Sequence, residues 1–124
     1  MTCALLGSLT FLASSVTAQT PPPPAPTTQV LALLNVKSDI PRSDVLKMLP
    51  DEVKATVRLH LAGKIQQWYG RSDNRGVVFI LNATSVDEAK SITAELPFEK
   101  AGIAAFDYVA LTPLTPLRLL LERQ

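Results

Sequence analysis

The chain has 124 residues, 47% of them hydrophobic and 19% charged, which fits one globular domain and not two. Lys and Arg number 12 against 11 Asp and Glu, a net charge of +1. That balance excludes a partner held by phosphate neutralisation, since nucleic-acid binding needs a basic excess, and it excludes a polybasic membrane-surface mode for the same reason.

No Asp, Glu, Lys, Arg or His precedes Lys37. Residues 1–18 are apolar and rich in small side chains, with Leu5, Leu6, Leu9, Phe11, Leu12 and Val16, and they close on Val16-Thr17-Ala18. This is the pattern of a secretory signal peptide, and the apolar run falls short of the roughly 20 residues that a spanning helix needs. The expectation is a secreted or periplasmic protein with no stable membrane span after cleavage. Cys3, the single cysteine, lies in this segment, so the mature chain is expected to have no thiol for a disulfide, a nucleophile or a metal. Residues 19–28 include Pro21 to Pro24 and read as a semi-rigid polyproline spacer.

The body runs from 29 to 117. Val30 to Val36 is apolar on both parities, which predicts a central strand, with Asn35 as its polar intrusion. After Ser38-Asp39-Ile40-Pro41, Ser43 can cap a first turn, and Pro50 opens a stronger helix over 51–62 with Asp51 and Glu52 in its first turn. Leu49, Val53, Val57 and Leu61 form its apolar stripe, and Lys47, Asp51, Lys54 and Arg58 the solvated one. Gly63 is the expected stop.

Residues 64–71 alternate, with Ile65, Gln67, Tyr69 and Arg71 on one face and Gln66 and Trp68 on the other; Gly70 suggests a bulge or a close backbone approach. Ser72 to Gly76 reads as a hairpin turn, and 76–83 as a third strand. Ser85 and Glu88 make a capping box for a second helix, whose apolar face is Val86, Ala89, Ile92, Thr93 and Leu96, stopped at Pro97. A loop over 99–102 leads to a last strand over 103–111. Residues 118–124 form a C-terminal arm. The order is βαββαβ. It predicts an α+β, ferredoxin-like domain: a four-stranded antiparallel sheet with two helices on one face. The other, apolar face then needs a cover, which points to a homodimer or larger homo-oligomer.

Several runs carry a family likeness: Leu49-Pro50-Asp51-Glu52-Val53, Leu59-His60-Leu61-Ala62-Gly63, Ser85-Val86-Asp87-Glu88-Ala89, Leu96-Pro97-Phe98 and Thr112-Pro113-Leu114. Together they resemble the small muconolactone isomerase-like proteins of the dimeric α+β-barrel group, over almost the whole body. The resemblance implies a cofactor-free fold that binds a small organic acid between subunits. It also implies an isomerase that moves a lactone double bond by removing and returning a proton.

Proton transfer needs a base within reach of its target. Asp107 alternates with Ile103, Ala105 and Val109 on a mainly apolar strand face, which makes it the first candidate base. His60, the single histidine, is the second. Arg71 is suited to clamp a substrate carboxylate, with Tyr69 on its strand face and Trp68 as an aromatic anchor. One histidine without a thiol offers no metal set, and no cofactor is expected. Two readings follow. One is an exported, cofactor-independent isomerase or lyase acting on a small carboxylated molecule. The other is a non-catalytic exported module that binds a ligand or a protein.

Overall fold

The computed structural model describes residues 25–114, together with positions 7, 10, 12, 13 and 121. Apart from those positions, the leader over 1–18 and the arm over 118–124 lie outside the described residues, as do residues 19–24 of the spacer. The elements in chain order are β1 (Gln29–Val36), α1 (Arg42–Leu61), β2 (Ile65–Gly70), β3 (Gly76–Leu81), α2 (Val86–Thr93), α3 (Pro97–Lys100) and β4 (Ala104–Leu111). The sheet order is β2-β3-β1-β4, antiparallel throughout. This is the ferredoxin-like α+β fold, with β1 at the centre as its apolar sequence requires.

Alternation along β1 decides which side chains meet the helices. Val30, Ala32 and Leu34 are buried on the helix-covered face, opposite Leu81, Phe79 and Val77 on β3 and Ala110, Tyr108 and Phe106 on β4. Leu31, Leu33 and Asn35 point to the bare face and are only half-buried. The α2 helix closes on β1 and β4 through Ala89, Ile92 and Thr93. Ser85 Oγ accepts the Glu88 amide at 3.1 Å, as the capping box predicts. The return arm is displaced by one residue, because Glu88 Oε2 accepts from the Thr84 amide and hydroxyl.

Four expectations are corrected. The first helix is one element over Arg42–Leu61 with Pro50 inside it, and it does not begin at Pro50. Proline removes one amide donor, and at this exposed position water can satisfy the Leu46 carbonyl that loses its partner. The helix also presents a different stripe. Val45, Met48, Ala55 and Leu59 pack on the core around the buried Glu52, whereas Leu49, Val53, Val57 and Leu61 stay exposed, Leu61 at 80%. In β2 the irregularity falls between Ile65 and Gln67, not at Gly70. The extra residue, Gln66, reverses the parity, so Ile65 shares the helix-covered face with Trp68 and leaves Gln67 and Tyr69. The stretch after Leu96 contains α3, a single turn started by Pro97, where a plain loop was expected.

The stop of α1 is as expected. Gly63 adopts φ +76°, and the Gly63 and Lys64 amides close on the His60 and Leu59 carbonyls in a Schellman arrangement. Among the described residues, no helix is long and apolar enough to cross a membrane.

Candidate functional site

The two halves of the sheet are covered unequally. The α1 helix contacts β2 and α3, and α2 contacts β1 and β4, so the inner face of β3 is left partly unroofed. A cleft of about 780 Å³ opens there. Its floor is Leu34, Val77 and Phe79; its roof is the Leu46, Leu49, Val53 and Val57 side of α1; Trp68 and Phe98 also border it. The stripe that sequence periodicity assigns to the core is the wall of this cleft.

The mouth follows from topology. The end of β1, the start of α1 and the β2–β3 hairpin lie at one end of the sheet, tied by the Val36 amide on the Arg75 carbonyl at 3.0 Å. Lys37, Arg42, Arg71 and Arg75 therefore gather at the cleft, and Glu52 is the one carboxylate in its lining. Asn74, with φ 57°, turns the hairpin. Arg71 donates to Asp73 Oδ2 at 2.5 Å and closely to Asn35 Oδ1, so its guanidinium is committed. The Asp73 carboxyl is held below its usual range, first by the Arg75 amide at 3.0 Å and then by the Arg71 side chain. Among the described residues, the side chains of Lys37, Arg42 and Arg75 make no ion pair or hydrogen bond; Arg75 meets Asp73 through its amide.

Glu52 is 5% exposed, held inside by the Val45–Met48–Ala55–Leu59 stripe. Its Oε2 accepts the Phe98 amide at 2.9 Å at the start of α3, and its Oε1 is buried with no partner. Burial pushes its pKa up, the Phe98 amide pulls against this, and the charge of Glu99 adds to the rise. Glu99 also has a buried oxygen without a partner. A carboxyl in such surroundings exchanges a proton closer to neutrality than an exposed one, with one oxygen fixed and the other buried without a partner.

The structure divides the five predicted site residues into two groups. Asp107 and Tyr69 belong to the bare face of the sheet, and Arg71, just past the end of β2, reaches that face as well as the cleft. There Asn35 donates to Asp107 Oδ2 at 3.0 Å and accepts from Arg71, forming one polar chain across three strands. Asp107 and Tyr69 are exposed, and Tyr69 donates to Gln67 Oε1 at 3.0 Å. His60 and Trp68 meet on the helix side, edge to face with ring centroids 4.5 Å apart, and His60 Nδ1 lies 2.8 Å from the Ile65 carbonyl oxygen. Asp107 and His60 are not brought together; Trp68 and Arg71 border the cleft. Glu52, Lys37, Arg42 and Arg75 escape the sequence reading. The 3-4-3-4 spacing of Val45, Met48, Glu52, Ala55 and Leu59 carried the signal for Glu52, but only for a helix read through Pro50. Among the described residues, no three His, Cys, Asp or Glu side chains converge as a metal set.

Comparison with protein families finds no match, and comparison with curated proteins finds none. Among solved structures, the chain is similar to the 5-chloro-2-hydroxyhydroquinone dehydrochlorinase of Burkholderia phenoliruptrix AC1100, in complex with 2,5-dihydroxybenzoquinone. The TM-score is 0.54 at 21% identity, over 68% of this chain and 93% of that one. At that identity the likeness shows a shared subunit fold, the ferredoxin-like α+β architecture described above.

Proposed function

We propose that this chain is an exported muconolactone isomerase-like protein, a cofactor-independent isomerase or lyase that acts on a carboxylated organic molecule in the cleft beneath α1. The observation that carries the reading is Glu52, a buried carboxyl with one free oxygen in an apolar cleft whose other charged residues are cations. Ionised Glu52 takes a proton from a carbon next to a carbonyl, and the electron pair moves into the conjugated system. The neutral carboxyl then returns the proton at a second carbon, completing an isomerisation, or holds it while a leaving group departs with the electron pair. The fold neighbour is by name a dehydrochlorinase, which is in keeping with elimination of this kind. Asp107 lies on the opposite face of the sheet and plays no part in this scheme.

The bare face, with Leu31, Leu33, Val78, Ile80 and the 54%-exposed Val109, is assigned to a second copy of the chain. Light scattering at micromolar concentration tests this, and a monomer rules it out. Protein sequencing from the cell envelope tests export, with Gln19 expected as the first residue.

The reaction is tested by proton NMR in D2O with a carboxylated unsaturated lactone as probe. Wild type should wash out the acidic carbon proton, Glu52→Gln should not, and Asp107→Asn should match wild type. Exchange that survives in Glu52→Gln removes this residue from the mechanism. A non-catalytic ligand-binding module is the second reading, favoured by the size of the cleft; it predicts binding without exchange.

A further inference from the structure

The cleft is larger than a single-ring acid requires. About 780 Å³ lies in the upper part of the roughly 300–1,000 Å³ that drug-sized ligands occupy. Its charges are also sorted by position. The side chains of Lys37, Arg42 and Arg75 stand at the mouth with no ion pair or hydrogen bond of their own among the described residues, although the Arg75 charge acts on the exposed Asp73. Glu52 follows Arg42 by ten residues on the same helix, about 15 Å along the axis at 1.5 Å per residue. Between them the helix shows Leu46 and Leu49 to the cleft, with Val53 just past Glu52, and the floor opposite is Leu34, Val77 and Phe79. A single six-membered ring covers less than half of that distance. A molecule that meets both the cations and Glu52 must be long, apolar in its body and anionic at one end.

We propose that the cleft binds an elongated amphiphilic anion: a carboxylate or similar head held by Lys37, Arg42 and Arg75, with an unbranched or ring-bearing apolar body laid along the exposed stripe of α1. The proposal rests on the reading of this cleft as the site, and it narrows the substrate class from any small organic acid to a long-bodied one. Charge complementarity selects the head. The apolar walls select the body, because each buried methylene tightens binding roughly four-fold. The otherwise unexplained exposure of Leu49, Val53 and Val57 then has a cause, since they are the surface that the ligand covers.

Trp68 reports on occupancy, being the single tryptophan of the chain, at the border of the cleft and 40% exposed. The test is titration of the full mature chain, followed by Trp68 emission, with monomeric octanoate, decanoate and dodecanoate below their micellar concentrations. Benzoate, dodecanol and phosphatidylglycerol vesicles are the comparison probes. The expected result is a blue shift, affinity rising several-fold per methylene, and dodecanoate bound at least ten-fold more tightly than dodecanol or benzoate. Arg42→Glu with Arg75→Glu should remove the preference for the anion and leave dodecanol binding in place. Val53→Asp, at an exposed position that tolerates a charge, should abolish the response to both.

Equal affinity for dodecanol overturns the cationic head site, and equal affinity for benzoate overturns the long body. A response to vesicles with none to monomeric dodecanoate overturns the free ligand in favour of a membrane surface. Dodecanoate binding and proton exchange, both measured on wild type, separate this proposal from the reaction: binding with no exchange sinks the chemistry alone, and exchange on a single-ring lactone with no dodecanoate binding sinks the ligand class alone.

Discussion

The two halves of the helical layer treat the same sheet in opposite ways. Over β1 and β4, α2 is short and places the fully buried Ala89 against the strands; Leu96 and Phe98 fill the corner, both buried. Over β2 and β3, α1 is 20 residues long, contacts β2 and α3, and stands off the floor around a charged group. Closeness follows from small residues at the contact, and separation from a helix whose two adjacent apolar stripes cannot both face the sheet. The closed half supplies buried core and the open half leaves a cleft.

Substitutions should respect this division. Leu96→Ala, in the closed half, removes a fully buried side chain and should cost about 2–5 kcal/mol in denaturant unfolding; a loss under about 1 kcal/mol would mean that this half is not close-packed. Gly76→Ala comes next. A methyl there would lie 1.8 Å from the Leu34 carbonyl oxygen, and forcing the strands apart should cost about 3 kcal/mol. Ser85→Ala removes the cap of α2 and should cost about 1 kcal/mol.

Glu52→Gln should alter the pH dependence. The unfolded side chain ionises near its ordinary 4.5, and burial holds the folded one above that. The stability linked to Glu52 is therefore complete below 4.5 and is lost as pH climbs through the raised folded value. Thermal melts of wild type relative to Glu52→Gln should fall as pH rises from about 4 towards neutrality, and a pH-independent difference would refute the shift. The smallest effect belongs to the open half: Val53→Ala, at a 51%-exposed position, should move stability by no more than about 0.5 kcal/mol while weakening dodecanoate binding.

Much of the architecture was legible because each break carried local chemistry. Gly63 stops α1, Ser85 starts α2, and residues 72–76 turn the hairpin, all features that depend on near neighbours in sequence. The helix start is not legible in the sequence, because proline at position 50 fits a first turn as well as an exposed interior turn, and only tertiary packing decides between them. That one choice hid the site. With α1 begun at residue 51, Glu52 belongs to a first turn, where an anion is ordinary; with α1 begun at Arg42, it sits in the buried stripe, where an anion needs a reason. Gln66 shows the same limit, since alternation assumes an unbroken ladder and one extra residue reverses every side chain beyond it. The bare face was read from sequence with its apolar strands, but the Arg71–Asn35–Asp107 chain across it depends on register and could not be.

The kink at Gln66 has a consequence for how the molecule avoids fibrils. β2 is an outermost strand, and a straight outermost strand offers its free amides and carbonyls to any passing chain. Here the spacing of those groups is broken between Ile65 and Gln67, and Gln66 is tied back to Gln29 by its side chain. A foreign strand docking on that rim meets an interrupted template, which disfavours repeated strand addition on the side that borders the cleft.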